Sequence, residues 1–283
     1  MAQPPDISLT AEQRKTFNQQ GFLLLPGFYD LGSEIRPIQQ ALYQIIGLVA
    51  ENHGLPLKRP PFAPETFDAG YNALIAGDRG VGSAVYDAAK LIPGFLRLLA
   101  SDKNERLFAA VRETDLVGIG AASFGIRIDN PHEEQFRSQW HQEFLYQPQS
   151  LDGLVYWSPL AEIRENMGPV EVCVGSHRDG LCVYRKGGKY ANKSGAYRIG
   201  LADEAAVVGR YTTAAPLTRP GDLLILDYLT LHQSGFNISE RSRWSMQFRL
   251  FNFREPTGRK LGWKPSVTAG TEIDTLFPKN FVD

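Results

Sequence analysis

The feature that most limits how this chain can fold is a change of period at about residue 115. Upstream, apolar residues recur at helical spacing, as in Ile35, Ile38, Leu42, Ile45, Ile46 and Val49. Downstream, the segments VGIGAASFGIRID, FLYQP, LDGLVYWSPL, VEVCVGSH, LLILDY and RWSMQFRLFNFRE are short and separated by turn signals. A helix buries one stripe of side chains, whereas a strand sends alternate side chains to opposite faces. Many short strands at this spacing point to a sandwich or barrel. The expected architecture is therefore mainly β with N-terminal α-helices, in one domain of 283 residues. Residues 1–114 are read as helical support and pocket wall, 115–255 as the β core and 256–283 as a C-terminal tail. The 27 glycines and 18 prolines supply the turns that such a core needs.

Within the N-terminal third, residues 8–20 open on a capping-box-like pattern at Ser8 or Thr10, and Gly21 stops that helix. FLLLP then reads as a short strand closed by Pro26-Gly27. Helices are expected over 33–50, over 83–100 with a break at Pro93, and over 104–113. Residues 53–71 hold too many prolines for regular structure and read as a connection or a pocket wall.

A formal charge of −1 gives no global pull toward nucleic acid or an anionic membrane surface. The N-terminal MAQPPDISLT lacks the basic and apolar regions of a signal peptide, and no apolar run reaches the roughly 18 residues that span a bilayer. A soluble, cytoplasmic protein is expected. Cys173 and Cys182, the only cysteines, lie nine apart, which excludes a disulfide framework and a sulfur-rich metal site.

The chemistry centres on SQWHQEFLY, residues 138–146, where His141 and Glu143 stand two apart in an aromatic-rich run. They are either a satisfied core histidine beside a carboxylate or part of a metal site. On a strand both side chains would share one face, with Gln142 turned away. A third ligand would come from His53, His132, His177 or His232. His232 is the strongest, because it follows the turn Pro220-Gly221-Asp222 and the strand LLILDY. Two histidines and one carboxylate form the facial triad of non-heme Fe(II) oxygenases, which leaves positions open for substrate and O2.

Several ordered segments carry a resemblance. QWHQEFLYQP, VYWSPLAEIRENMGPVEVCVGSHRDG, HQSGFNISERSRW and the opening LTAEQRKTFNQQGFLLLPGF together resemble the phytanoyl-CoA dioxygenase family of Fe(II)- and 2-oxoglutarate-dependent oxygenases, over residues 8 to about 255. The resemblance implies a double-stranded β-helix, a cupin-like jelly roll of two sheets with the metal between them. It implies His141, Glu143 and His232 as iron ligands and catalytic centre, and Arg243, eleven residues after His232, as partner of the distal 2-oxoglutarate carboxylate. A guanidinium suits that task because it grips a carboxylate with two donors and stays charged. Ser234 matches a cosubstrate contact and Trp157 a pocket tryptophan; Arg241 shares the strand parity of Arg243, and Ser245 could extend the carboxylate site. One departure is Glu143, where most members carry aspartate. Glutamate remains a hard anionic donor, and its presence argues against a halogenase, in which a small residue admits the halide.

The activity implied is hydroxylation of an unactivated C–H of a small molecule, with 2-oxoglutarate converted to succinate and CO2. Alternatives are desaturation, cyclisation or epimerisation at the same iron, and a non-catalytic jelly-roll binding protein. Residues 176–198 carry Arg178, Arg185, Lys186, Lys189, Lys193 and Arg198 against Asp179. They read either as a solvated loop or as a lid that grips an anionic substrate group.

Overall fold

A computed structural model describes residues 7–120, 124–186, 199–265 and 273–282. Lys189, Lys193 and Arg198 of the basic segment lie outside the described residues.

The first helix, α1 (Ala11–Gln20), begins as its sequence dictates. The Thr10 side chain accepts from the Gln13 N–H while the Gln13 side chain accepts from the Thr10 N–H, a reciprocal capping box. Gly21 ends the helix at φ 79°, a left-handed conformation that glycine adopts without steric cost. A Cβ there would also collide with His177 and Thr230. The Gly21 carbonyl in turn accepts from the Asp227 N–H and the Thr230 hydroxyl, so α1 is tied to the segment that leads to His232.

After β1 (Phe22–Leu25) come the helices α2 (Arg36–Asn52), α3 (Tyr71–Gly77), α4 (Val81–Ala89), α5 (Pro93–Leu99) and α6 (Asp102–Arg112), whose buried residues join one core cluster with the main sheet. The expected break at Pro93 falls between α4 and α5, with the proline in the first turn, where its missing N–H costs nothing. On α2, Ile38, Leu42 and Ile46 are fully buried. Burying each contributes roughly 1.5–3 kcal/mol, against at most about 0.7 kcal/mol per residue from helix propensity, so packing rather than propensity holds this helix.

The strands are β2 (Val117–Ile119), β3 (Gly125–Asp129), β4 (Gly153–Pro159), β5 (Val170–Cys173), β6 (Tyr184–Lys186), β7 (Ile199–Leu201), β8 (Thr213–Ala214), β9 (Leu223–Asp227), β10 (His232–Ser234), β11 (Arg243–Asn252) and β12 (Phe281–Val282). Short helices α7 (Glu204–Val208), α8 (Pro256–Leu261) and α9 (Ile273–Leu276) punctuate them. The main sheet runs β1-β9-β4-β11-β2, with β3 also paired to β11; a second sheet runs β10-β5-β8 and a third β12-β6-β7. Pairing is antiparallel except between β12 and β6.

Strand β11 shows why the layers stack in this order. Trp244, Met246, Phe248 and Leu250 join the core under the helices. The intervening Arg243, Ser245, Gln247 and Arg249 take the opposite face, toward the second sheet. Between the two sheets, Val155, Trp157, Leu224 and Leu226 pack with Val170 and Val172. The result is the expected jelly-roll layering of mainly β sheets with N-terminal helices, as facing sheets and not a closed barrel.

One expected strand is absent. FLYQP does not extend; Glu143–Leu145 form a 3-10 turn, closed by the Tyr146 N–H on the Glu143 carbonyl at 2.8 Å. Glu143, Phe144 and Leu145 are consecutively buried at 1%, 0% and 0% exposure. An alternating strand cannot bury three neighbours in this way unless both faces are covered, whereas a tight turn aims each in a different direction.

Candidate metal centre

His141 sits on a loop and His232 opens β10, and the two form an isolated antiparallel bridge with both backbone hydrogen bonds at 3.0 Å. Their rings lie 4.2 Å apart, centroid to centroid. Each Nδ1 faces a backbone carbonyl: His141 that of Gln139 at 2.7 Å, His232 that of Thr230 at 2.9 Å. A carbonyl only accepts, so Nδ1 carries the proton and Nε2 presents its lone pair. Both Nε2 atoms face Glu143 Oε2, at 3.8 Å from His141 and 3.7 Å from His232. All three residues are buried, and their donor atoms lie within 4.8 Å of one another. The pairing therefore arises from a bridge and a 3-10 turn, not from i, i+2 parity on a strand.

Gln142 is turned away, as expected. Its Nε2 donates to the Gly180 and Leu229 carbonyls and its Oε1 accepts from the Cys182 N–H and the Tyr184 hydroxyl. A fully buried amide is thus saturated, and it ties the ligand turn to residues 180–184.

Burial pushes the Glu143 carboxyl up, but the Arg249 guanidinium and the two imidazoles outweigh that and hold it well below the usual carboxylate range. Burial and the His232 ring lower His141 from 6.5 to about 4, against the opposing pull of Glu143. At neutral pH the site therefore offers one carboxylate and a neutral His141 imidazole, the forms that bind a metal.

The depressed histidine has a consequence for stability. Between pH 6.5 and about 4 the unfolded chain binds a proton on His141 that the folded chain refuses. Stability then rises with pH across that window and is lost as pH falls through it. His177, lowered by burial, acts with the same sign. Urea midpoints of the metal-stripped protein should fall from pH 7 to pH 4.5; a flat profile would mean that His141 protonates freely in the fold.

The other expected site residues separate into groups. Ser234 and Trp157 line the same interior space as His141 and His232, together with Arg127, Tyr146, Gln247 and Arg249. The indole Nε1 of Trp157 is buried and has no partner among the described residues. Arg243 is fully buried at the start of β11 and gives one nitrogen to Asp129 Oδ2 at 2.8 Å. Its Nε and other terminal nitrogen have no partner among the described residues. Ser245 is buried and accepts from Gln247. Arg241, by contrast, is bound to both oxygens of Asp68. His177 faces the Asn18 carbonyl, and His53 and His132 are exposed, so none of these three joins the cluster.

Sequence reasoning missed Arg249, which contacts both oxygens of Glu143 at 2.9 and 3.2 Å. It also missed Tyr146, whose ring packs on that of His141 at 4.9 Å. The signal for Arg249 was present: it continues the polar alternation Arg243, Ser245, Gln247 on one strand.

Two imidazoles and a carboxylate gathered around one point, set between the sheets of a jelly roll, fit the donor set of a non-heme Fe(II) centre. The chain belongs to the phytanoyl-CoA dioxygenase (PhyH) family, whose model matches residues 17–245. Among solved structures it is similar to EctD from S. alaskensis with bound Fe, at 18% identity over 88% of this chain and 79% of that one, with a TM-score of 0.56. It is also similar to SnoK, a non-heme alpha ketoglutarate dependent carbocyclase from nogalamycin biosynthesis, at 15% identity over 88% and 87%, TM-score 0.55. A third likeness is to AviO1 from Streptomyces viridochromogenes Tue57, at 15% over 87% and 96%, TM-score 0.54. At these identities the likeness is one of fold. A search of curated proteins gives no match. Among the described residues no helix is long and apolar enough to cross a membrane.

Proposed function

We propose that this protein is an Fe(II)- and 2-oxoglutarate-dependent dioxygenase that hydroxylates an unactivated C–H of a small molecule, with release of succinate and CO2. The observation that carries the reading is the His141, Glu143, His232 cluster; Arg243, on the same strand as Arg249 and with buried donors that have no partner among the described residues, is the cation we assign to the cosubstrate. Leaving a buried donor unsatisfied costs about 1–3 kcal/mol; a bound carboxylate would recover that.

In this reading His141, Glu143 and His232 hold iron through Nε2, Oε2 and Nε2. Arg243 takes the distal carboxylate of 2-oxoglutarate, and Ser234 and the Trp157 indole N–H offer further hydrogen bonds along the way. Val155, Leu226 and Val170 line the apolar part of the same space. Iron with 2-oxoglutarate and O2 supplies the oxidising chemistry; the chain supplies orientation and shielding.

The test is twofold. Purified protein given Fe(II), O2 and 2-oxoglutarate should form succinate even without a second substrate, and a true substrate should gain one oxygen in mass. Loss of two hydrogens would indicate desaturation or cyclisation, and an unchanged mass epimerisation. Protein that binds neither metal nor 2-oxoglutarate would end the oxygenase reading.

A further inference from the structure

Glu143 uses its two oxygens differently. Oε1 accepts from Arg249 Nε at 2.9 Å and Oε2 accepts the longer bond from Nη2 of the same guanidinium at 3.2 Å, and Oε2 is the oxygen turned to both histidines. The two residues are placed independently: Glu143 by its 3-10 turn, and Arg249 by β11, where it stands opposite Val155 of β4. Arg249 is further fixed by Gln247 Oε1 at 3.4 Å, and the Gln247 amide donates to Ser245. A hydrogen-bonded row along the inner face of β11 thus ends on the carboxylate.

This matters because of the extra methylene that glutamate has over aspartate. A longer, looser carboxylate can swing both oxygens onto a metal. Around an octahedral metal the triad takes one face, and 2-oxoglutarate with O2 needs the opposite face. A carboxylate that chelates would occupy one of those positions. We infer that Arg249 is a positioning residue that keeps Glu143 a one-oxygen ligand, holding Oε1 on the guanidinium so that the positions for cosubstrate and O2 stay open. The inference rests on the proposed iron site. It separates two effects that a merely structural arginine would join: loss of Arg249 should spare metal binding and weaken 2-oxoglutarate binding.

The experiment uses Co(II) in place of Fe(II), with the full chain and with Arg249→Met, which keeps an apolar stem. Co(II) is titrated first and 2-oxoglutarate then added to the loaded protein, both followed by the Co(II) absorption spectrum and by calorimetry. The variant should bind Co(II) as tightly as the parent or more tightly, since the carboxylate regains its second oxygen. Its affinity for 2-oxoglutarate should fall roughly ten- to hundred-fold, the worth of a charge-assisted hydrogen bond. Equal 2-oxoglutarate affinity, or loss of Co(II) and 2-oxoglutarate binding in parallel, overturns the inference. If a thermal melt shows that the methionine variant is unfolded, Arg249→Gln is read by the same criteria. A parent protein that takes up no Co(II) overturns the metal site and this inference together, whereas the variant outcomes sink the inference alone.

Discussion

His232→Ala is expected to leave a folded protein that has lost Fe(II) and, with it, conversion of 2-oxoglutarate. Structural zinc sites gain roughly 10–16 kcal/mol from about four ligands, so one ligand is worth about 3 kcal/mol, or roughly a hundred-fold in affinity. Turnover should fall by at least about that factor, because a displaced metal also loses its alignment with the reacting groups. His232 is a better probe than Glu143 for a structural reason. The Glu143 carboxylate is 1% exposed and paired to Arg249, itself 14% exposed, so Glu143→Ala would strand a largely covered cation, at a cost of up to about 3–5 kcal/mol. Removing His232 leaves that pair intact, and the backbone bridge to His141 needs no side chain. The measurement is Fe(II) or Co(II) affinity by calorimetry beside a urea unfolding curve of the metal-free variant. Parent-like metal affinity in a folded His232→Ala protein would remove His232 from the ligand set and sink the triad.

The parts legible in the sequence are those set by local rules. The capping box at Thr10 and Gln13 and the stop at Gly21 follow from the chemistry of a helix end. The alternation in RWSMQFRLFN fixes which side chains of β11 face the helices and which face the second sheet. Candidate ligands were legible as residue types, and the structure gathers His141, Glu143 and His232 as that reading required. Their means of convergence was not legible. A run such as QEFLY has strand propensity, yet its consecutive burial is satisfied by a 3-10 turn, with Phe144 packed on Phe277, which follows α9. No periodicity rule looks that far along the chain. The Arg249–Glu143 pair was hidden for a related reason: the two residues are 106 positions apart, and only the register of β11 against β4 brings the guanidinium to the carboxylate.

Arg243→Met is expected to raise the dissociation constant for 2-oxoglutarate at least about thirty-fold while leaving metal affinity within about three-fold of the parent. Losing one partner of a buried, hydrogen-bonded charge pair costs roughly 2–5 kcal/mol, which sets the lower figure. The metal should be indifferent because the hydrogen bond of Arg243 goes to Asp129 and not to His141, Glu143 or His232. The fold should tolerate the change as well. Burial pushes the Asp129 carboxyl up, yet Arg127 and Arg243 together hold it below its usual range, and Arg127, at 2.8 Å from Oδ1, remains when Arg243 is removed. Arg243→Lys should recover only part of the affinity, since an ammonium is a point donor and cannot serve Asp129 and a ligand carboxylate in the same fork geometry. Equilibrium binding of 2-oxoglutarate to the Co(II)-loaded variants reads both effects without turnover. Unchanged affinity in Arg243→Met would mean that the distal carboxylate rests on a different cation, and Arg127, which lines the space beside His141 and His232, would be the next to substitute.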